Sequence, residues 1–209
     1  MAKQTITINA RAIASTIGAV GNALGFIKRD DLEHMYFCYR EGDERALVVA
    51  TDRCRLYMAS TDHKKIKKAD EDMIIPGNLA KWIVKQTDGK AAVVDCKITW
   101  EGKPGNGRVS CDILGTKYDT DWPDLKCPDW RKILAKHKGF KKCYCIGFNP
   151  HYMADLCKSA SLYYPSLRHL KLQFVGQYGP TYCTLETPDG GMWQGLLMPM
   201  RLDNKDVDE

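Results

Sequence analysis

Nine cysteines, five histidines and the aspartates of Asp119-Thr120-Asp121 are the side chains of this 209-residue sequence best suited to chemistry. The cysteines stand at positions 38, 54, 96, 111, 127, 143, 145, 157 and 183 with no Cys-x-x-Cys spacing. Cys143-x-Cys145 is the closest pair, and it falls in a predicted strand where both side chains share a face. Zinc and redox sites need ligands at short, repeated spacings, so the scattered set reads as reduced thiols acting as small buried hydrophobes. His34, His63, His137, His151 and His169 show no ligand spacing either. Asp119-x-Asp121 could hold magnesium, but one carboxylate pair in an expected loop is a weak signal. Gly102 to Gly107 lacks the strand-to-helix setting of a phosphate-binding loop and reads as a hairpin turn. These residues point away from catalysis, and the expectation is a protein that is not an enzyme and needs no cofactor or metal.

Binding chemistry is better represented. The sequence Leu196-Leu197-Met198-Pro199-Met200-Arg201-Leu202 joins flexible apolar side chains to a guanidinium, and Val49-Ala50-Thr51-Asp52-Arg53-Cys54-Arg55-Leu56 adds a second polar and apolar mixture. Methionine and leucine can make an adaptable apolar surface, although by composition alone Met198 and Met200 read as packing for a terminal strand. Arg55 and Arg201 have long stems that can pack while their charged ends reach polar atoms.

The bulk composition is that of a globular chain with a sizeable core: 44% hydrophobic and 27% charged residues. No apolar run approaches the roughly 18 residues of a membrane span, and Met1-Ala2-Lys3-Gln4-Thr5 carries no apolar signal segment. A cytoplasmic protein with no membrane partner is expected, nucleoid-associated in a bacterial or phage setting. The net charge of +5 hides an acidic tail, Asp203 to Glu209, with four acids and one base. The basic remainder is compatible with a polyanion partner. Two lysine clusters, Lys64, Lys65, Lys67 and Lys68, and Lys136, Lys138, Lys141 and Lys142, read as solvated loops.

The elements that must position these side chains repeat three times. Thr5 to Ile8 forms an extended stretch capped by Asn9, with a helix expected from Ala10 to Leu24. Met73-Ile74-Ile75 leads through Pro76 into a helix reaching Gln86. Cys143 to Phe148 leads through Asn149 and Pro150 into a helix reaching Ala160. Asparagine caps and first-turn prolines suit helix starts, whose first N–H groups lack intrahelical partners. Three strands are expected after each helix: 35–39, 46–50 and 55–59; then 91–94, 97–100 and 108–113; then 170–174, 181–185 and 193–198. The helices are two-faced. In the first, Ala10, Ile13, Ala14, Ile17 and Leu24 form an apolar stripe opposite Arg11, Ser15, Gly18 and Asn22. In the third, Met153, Leu156, Cys157 and Ala160 are expected to pack, and His151, Asp155 and Lys158 to be exposed.

Both motifs, in this order, resemble the halves of the peptide-binding cleft in bacterial sliding clamps, the β subunit of DNA polymerase III. That family reads Ala-Thr-Asp-Gly-His-Arg-Leu at the first place and ends in Met-Pro-Met-Arg-Leu. This chain keeps Ala50, Thr51, Asp52, Arg55 and Leu56, departs at Arg53 and Cys54, and matches the second motif fully at Met198 to Leu202. Ile74-Ile75-Pro76 and Phe148-Asn149-Pro150-His151-Tyr152 match the family's strand-to-helix junctions. Cys127-Pro128-Asp129-Trp130-Arg131-Lys132-Ile133-Leu134 resembles its Phe-Pro-Asp-Tyr-Arg-Arg-Val-Leu connector, with Asp119 to Lys126 as an insertion before it. Residues 1–135 resemble the complete middle domain and 136–202 only the second half of the last domain, while 203–209 are expected to form a disordered acidic tail.

The resemblance implies an α+β DNA-clamp fold of three strand-helix-three-strand units, with helices on the inner face and antiparallel sheets outside. It implies a cleft walled by Thr51, Arg55, Leu56, Pro128, Lys132, Ile133, Leu196, Met198, Pro199, Met200 and Arg201, which takes peptides containing glutamine, leucine and phenylalanine from polymerases and other partners. Inner-helix cations that would neutralise the phosphates of double-stranded DNA are Arg11, Lys28, Arg29, Lys81, Lys85 and Lys158. A full ring of the family holds twelve such units, so three per chain imply a homotetramer with flipped neighbours and isologous contacts. A clamp loader is a further implied partner. The competing expectation is a peptide-binding adaptor or decoy that never encircles DNA.

Overall fold

The structure, a computed structural model, describes residues 3–17, 33–40, 45–52, 54–61, 72–87, 94–136, 146–166, 169–176 and 178–200, the side chains of Ile133, Ala135 and Lys136 excepted. Strand β1 (Gln4–Asn9) runs into helix α1 (Ala10–Thr16), and β2 (Met35–Cys38), β3 (Ala46–Thr51) and β4 (Arg55–Thr61) complete a first unit. The second comprises β5 (Met73–Ile75), α2 (Gly77–Thr87), β6 (Asp95–Glu101), β7 (Gly107–Ile113) and β8 (Thr116–Trp122). A connector holding the short α3 (Trp130–Lys136) leads to the third: α4 (Pro150–Tyr163), β9 (Lys171–Phe174), β10 (Thr181–Glu186) and β11 (Met192–Leu197). All pairings are antiparallel, in a four-stranded sheet ordered β1-β6-β7-β8 and a seven-stranded sheet ordered β5-β2-β3-β4-β11-β10-β9. The first two units thus exchange their leading strands, and the third joins the first through β4 and β11.

Local chemistry accounts for the helix starts. The Asn9 and Asn149 side-chain oxygens each accept a backbone N–H, from Arg11 and His151 respectively, both at 2.9 Å. The Pro76 carbonyl accepts the Ala80 N–H at 2.9 Å, so α2 begins right after the proline as expected. Helix α4 runs three residues beyond the expected Ala160, and the part of the first helix expected over residues 18–24 lies outside the described residues.

Two expectations are corrected. The strand expected at 91–94 lies outside the described residues except for Val94, which is not in a strand, and the second unit has an unexpected strand, β8, after β7. Asp119 to Trp122, taken as the start of an insertion, belong to this strand. Its outer edge is polar, which hid it, and the turn into it is Leu114-Gly115, both at positive φ of 50° and 86°. That backbone suits a two-residue hairpin but normally carries Asn-Gly. The polar stripe of α1 is the second correction. Ser15 is fully buried and Arg11 largely so, because α4 packs along that side.

The core has two layers. Met35, Phe37, Val48, Tyr57, Trp193 and Leu197 face the helices, while Tyr36, Val49, Leu56, Met58 and Leu196 alternate to the opposite face. The connector covers that second face with Trp130, Leu125 and Leu134. Covering on both faces explains why β2 and β4 are buried throughout. One hydrogen-bonded chain crosses the inner layer: the Trp193 indole N–H donates to Ser159 Oγ at 3.1 Å, and the Ser159 hydroxyl donates to the Ser15 carbonyl. It satisfies a carbonyl in the last turn of α1 and ties sheet, α4 and α1 together. Gly195 makes room for the indole, since a Cβ there would stand 2.6 Å from Trp193 Cη2. Gly195→Ala is expected to lose about 1–3 kcal/mol of stability through displacement of that ring, read from urea unfolding midpoints.

Candidate functional site: the seam between the first and third units

The site forms where β4 meets β11. Leu56 and Leu196 lie opposite each other in the ladder, and Tyr182 is the next neighbour of Leu196 on β10. Leu56 and Leu196 are buried against Trp130 and Leu134 of the connector. Tyr182 donates to the Leu134 carbonyl at 3.5 Å. Past the end of β11, Met198 N–H donates to the Cys54 carbonyl at 3.1 Å and Met200 N–H to the Gly147 carbonyl at 2.8 Å. The C-terminal segment therefore crosses from the start of β4 to the start of α4. Met198 and Met200 continue the Leu196 face by alternation and are 38% and 53% exposed. Pro199 and Pro128 are half-buried, and Lys132 is exposed with its ammonium 2.6 Å from Asp129. A buried floor with exposed methionines at its end is a surface fit for an apolar segment. Arg201 and the Ile133 side chain lie outside the described residues.

Thr51 and Arg55 sit beneath this surface. Thr51 Oγ1 donates to the Arg55 carbonyl at 2.7 Å, closing the β3–β4 turn. Asp52 accepts the backbone N–H groups of Cys54 and Arg55 at 3.1 and 2.7 Å, and the Arg55 Nε and Nη2 at 2.9 and 2.7 Å. The guanidinium also reaches Asp155 on α4 and stacks 4.8 Å from the Tyr152 ring centroid. Burial works against the charge, but Asp52 and Asp155 outweigh it and raise the Arg55 pKa above its ordinary value. Arg55, expected to reach a ligand, is instead held in an ion-paired joint between the first and third units. Asp155, expected only to be exposed, and Tyr152 were not placed at the site by the sequence, although their i, i+3 spacing puts both on one helical face. Nor were Trp130, read only as part of the connector, and Tyr182. The alternation of β10, with Cys183 and Leu185 buried, was the signal that placed Tyr182 on the opposite face.

The connector is anchored through Asp72, which pairs with Arg40 at 3.0 Å and Arg131 at 3.1 Å. The thiols of Cys38 and Cys127 lie within 4.8 Å of the same carboxylate. Two guanidiniums already neutralise Asp72, and burial pushes the Cys38 thiol well above its ordinary pKa, so this cluster is poorly suited to a cation. Asp119 and Asp121 both pair with Arg108, which also makes a poor magnesium site.

On the opposite side, α1 packs against both α2 and α4 to form one helical layer. Lys81 and Lys85 are exposed at i, i+4 spacing on α2, and Lys158 is exposed on α4. Arg11 differs: it pairs with Asp189 at 3.3 Å and lies 5.1 Å over the Tyr163 ring. Lys28 and Arg29 lie outside the described residues, as do the lysine clusters apart from the Lys136 backbone. No helix among the described residues is long and apolar enough to cross a membrane.

No protein-family description matches the sequence, and no curated protein matches it. Solved structures do. The H. pylori β clamp in complex with diflunisal superposes with a TM-score of 0.70 at 12% identity, over 97% of this chain and 68% of that one. DNA polymerase III subunit β from Borrelia burgdorferi, in complex with a natural product, gives 0.66 at 14% identity, over 96% and 65%. The DNA polymerase sliding clamp from Pseudomonas aeruginosa gives 0.65 at 17% identity, over 95% and 66%. The chain thus spans about two thirds of these structures, and its fold is that of the bacterial sliding clamp.

Proposed function

We propose that the chain is a sliding-clamp-like processivity factor: copies of it close into a ring around duplex DNA and hold short peptides of polymerases and other replication or repair proteins. The carrying observation is the two-sidedness of one continuous body. The helical layer α2–α1–α4 presents Lys81, Lys85 and Lys158, while the opposite face carries the apolar surface around Leu56, Leu196, Met198 and Met200. Lysines on a smooth helical layer can neutralise phosphates without reading bases. The organisation that goes with this reading is a complete clamp domain over residues 1–135, a half-domain over 136–202 and an acidic tail over 203–209. A clamp loader would be the partner that opens the ring.

A second reading has its own observation. Among the described residues β8 and β9 each leave a strand edge open, so one copy closes nothing by itself. A chain remaining in that state would be a peptide-binding adaptor or decoy. Light scattering with negative-stain imaging of the same peak separates the two. A ring of four copies of the 23.7 kDa chain, with a central hole wide enough for a duplex, is the expected result. A monomer or a compact dimer would leave only the adaptor. For the ring, Lys81→Gln combined with Lys85→Gln is expected to flatten the log–log salt dependence of DNA binding, by about one unit for each phosphate left without its lysine. An unchanged slope would place both lysines away from DNA.

A further inference from the structure

Two kinds of contact join units within this chain. The first and second interlock: β1 pairs with β6, β5 pairs with β2, and α1 packs beside α2. The first and third meet edge to edge, last strand to last strand, through β4 and β11. Among the described residues the third unit has its edge contact but no interlocking one. Three features mark where that contact is due.

Strand β9 occupies the place in the third unit that β2 occupies in the first, directly after the helix. β2 is buried throughout, with β5 on its outer edge. β9 has no neighbour on that edge among the described residues, and Lys171 and Leu172 are exposed. Leu172 pairs with Cys183 and so shares the helix-covered face with that buried residue, yet it remains 38% exposed.

Helix α4 touches α1 through Ser159 and Tyr163 but leaves Ala154, Cys157 and Ser161 exposed on another flank, Cys157 against the expectation that it packs, whereas the described length of α1 is almost wholly buried. Between the end of α4 and β9–β10 lies an open cavity of about 640 Å³ lined by Tyr164, His169, Lys171, Leu185 and Glu186.

The residues leading into α4 form the third feature. They correspond to β1 and β5, and the sequence pattern over 143–148 is that of a strand. Ile146 to Phe148 nevertheless make only a single bridge, Gly147 with Met200. Among the described residues, a segment in the place of a leading strand, Ile146 to Phe148, thus has one bridge only, and a sheet edge in the same unit has no neighbour.

We propose that a second copy of this chain supplies both: the third units of two copies interlock about a twofold axis. Each copy gives Ile146 to Phe148 to the other's β9 edge, and each α4 lies along the other's exposed flank. The occupant is another third unit because it carries the same surplus strand and the same open edge, which makes the contact self-complementary. Alanine, cysteine and serine on the flank let the two helix backbones approach closely. This deepens the ring reading by naming one of its two contacts between copies, the other being the β8 edge, and it stands without DNA.

The test uses the full chain. Leu172→Asp charges the uncovered sheet face, and Ser161→Arg blocks the helix flank. Each variant is expected to halve the mass measured by light scattering while melting temperature and peptide binding stay unchanged. Cys157 sits at the middle of the flank, so a short bis-maleimide is expected to join two wild-type chains through it. That product should vanish in Cys157→Ser and fall sharply in both surface variants. A monomeric wild-type chain, wild-type mass in both variants, or a cross-link indifferent to them would overturn the proposal. Loss of DNA retention by a chain that still forms the cross-linked pair would sink the clamp reading instead and leave this contact in place.

Discussion

Arg55→Ala should lower the unfolding free energy by about 3–5 kcal/mol, the usual cost of removing one member of a buried ion pair. The Arg55 and Asp52 side chains are 5% and 2% exposed, so the abandoned carboxylate stays in a poorly solvated place. It keeps the N–H groups of Cys54 and residue 55 but loses both guanidinium donors. The cation also spans two units, so its loss should loosen the seam between β4 and α4 specifically. Lysine is a poor substitute. One ammonium cannot give Nε-like and Nη-like hydrogen bonds to Asp52, reach Asp155 and stack on Tyr152 together. Asp155 is 49% exposed, and Asp155→Asn should cost only about 0–1 kcal/mol. Urea unfolding at constant m-value measures all three. A loss below about 1 kcal/mol for Arg55→Ala would mean that the joint is solvated and structurally idle.

For the cleft, Met198→Ala combined with Met200→Ala is expected to weaken binding of a labelled peptide containing glutamine, leucine and phenylalanine roughly 30-fold, about 2 kcal/mol. Both side chains are substantially exposed in the free protein, so little core packing is removed and the unfolding free energy should move by under about 1 kcal/mol. Fluorescence anisotropy gives the first quantity and thermal melting the second. The reverse result, lower stability with unchanged affinity, would reduce the two methionines to packing for a terminal strand.

Much of this was legible in the residues. Asn9, Pro76 and Asn149 marked three helix starts because capping is a local interaction, settled within a few residues of chain. The alternation in 181–185 and 193–198 marked β10 and β11 for the same reason. What could not be read depends on parts of the chain distant in sequence. Ser15 looked like a solvent-facing helix residue until α4 covered it. Arg55 looked like a ligand contact because nothing nearby announces Asp155, a hundred residues away. β8 was missed because an edge strand of Thr, Lys and Asp around Tyr118 carries little hydrophobic signal. The two strings that meet at the β4–β11 seam stood out in the sequence, but the apolar surface they form there also includes Trp130 and Tyr182, which come from two other elements.

The pairing of Leu56 with Leu196 has a consequence for the birth of the protein. At roughly 5–20 residues per second, a ribosome needs on the order of ten seconds between completing one partner strand and delivering the other. Throughout that interval β4 displays a seven-residue edge of Arg-Leu-Tyr-Met-Ala-Ser-Thr that is buried end to end in the finished fold. Nascent chains halted before the final strand should therefore be sticky and quick to recruit chaperones, whereas completed ones should not.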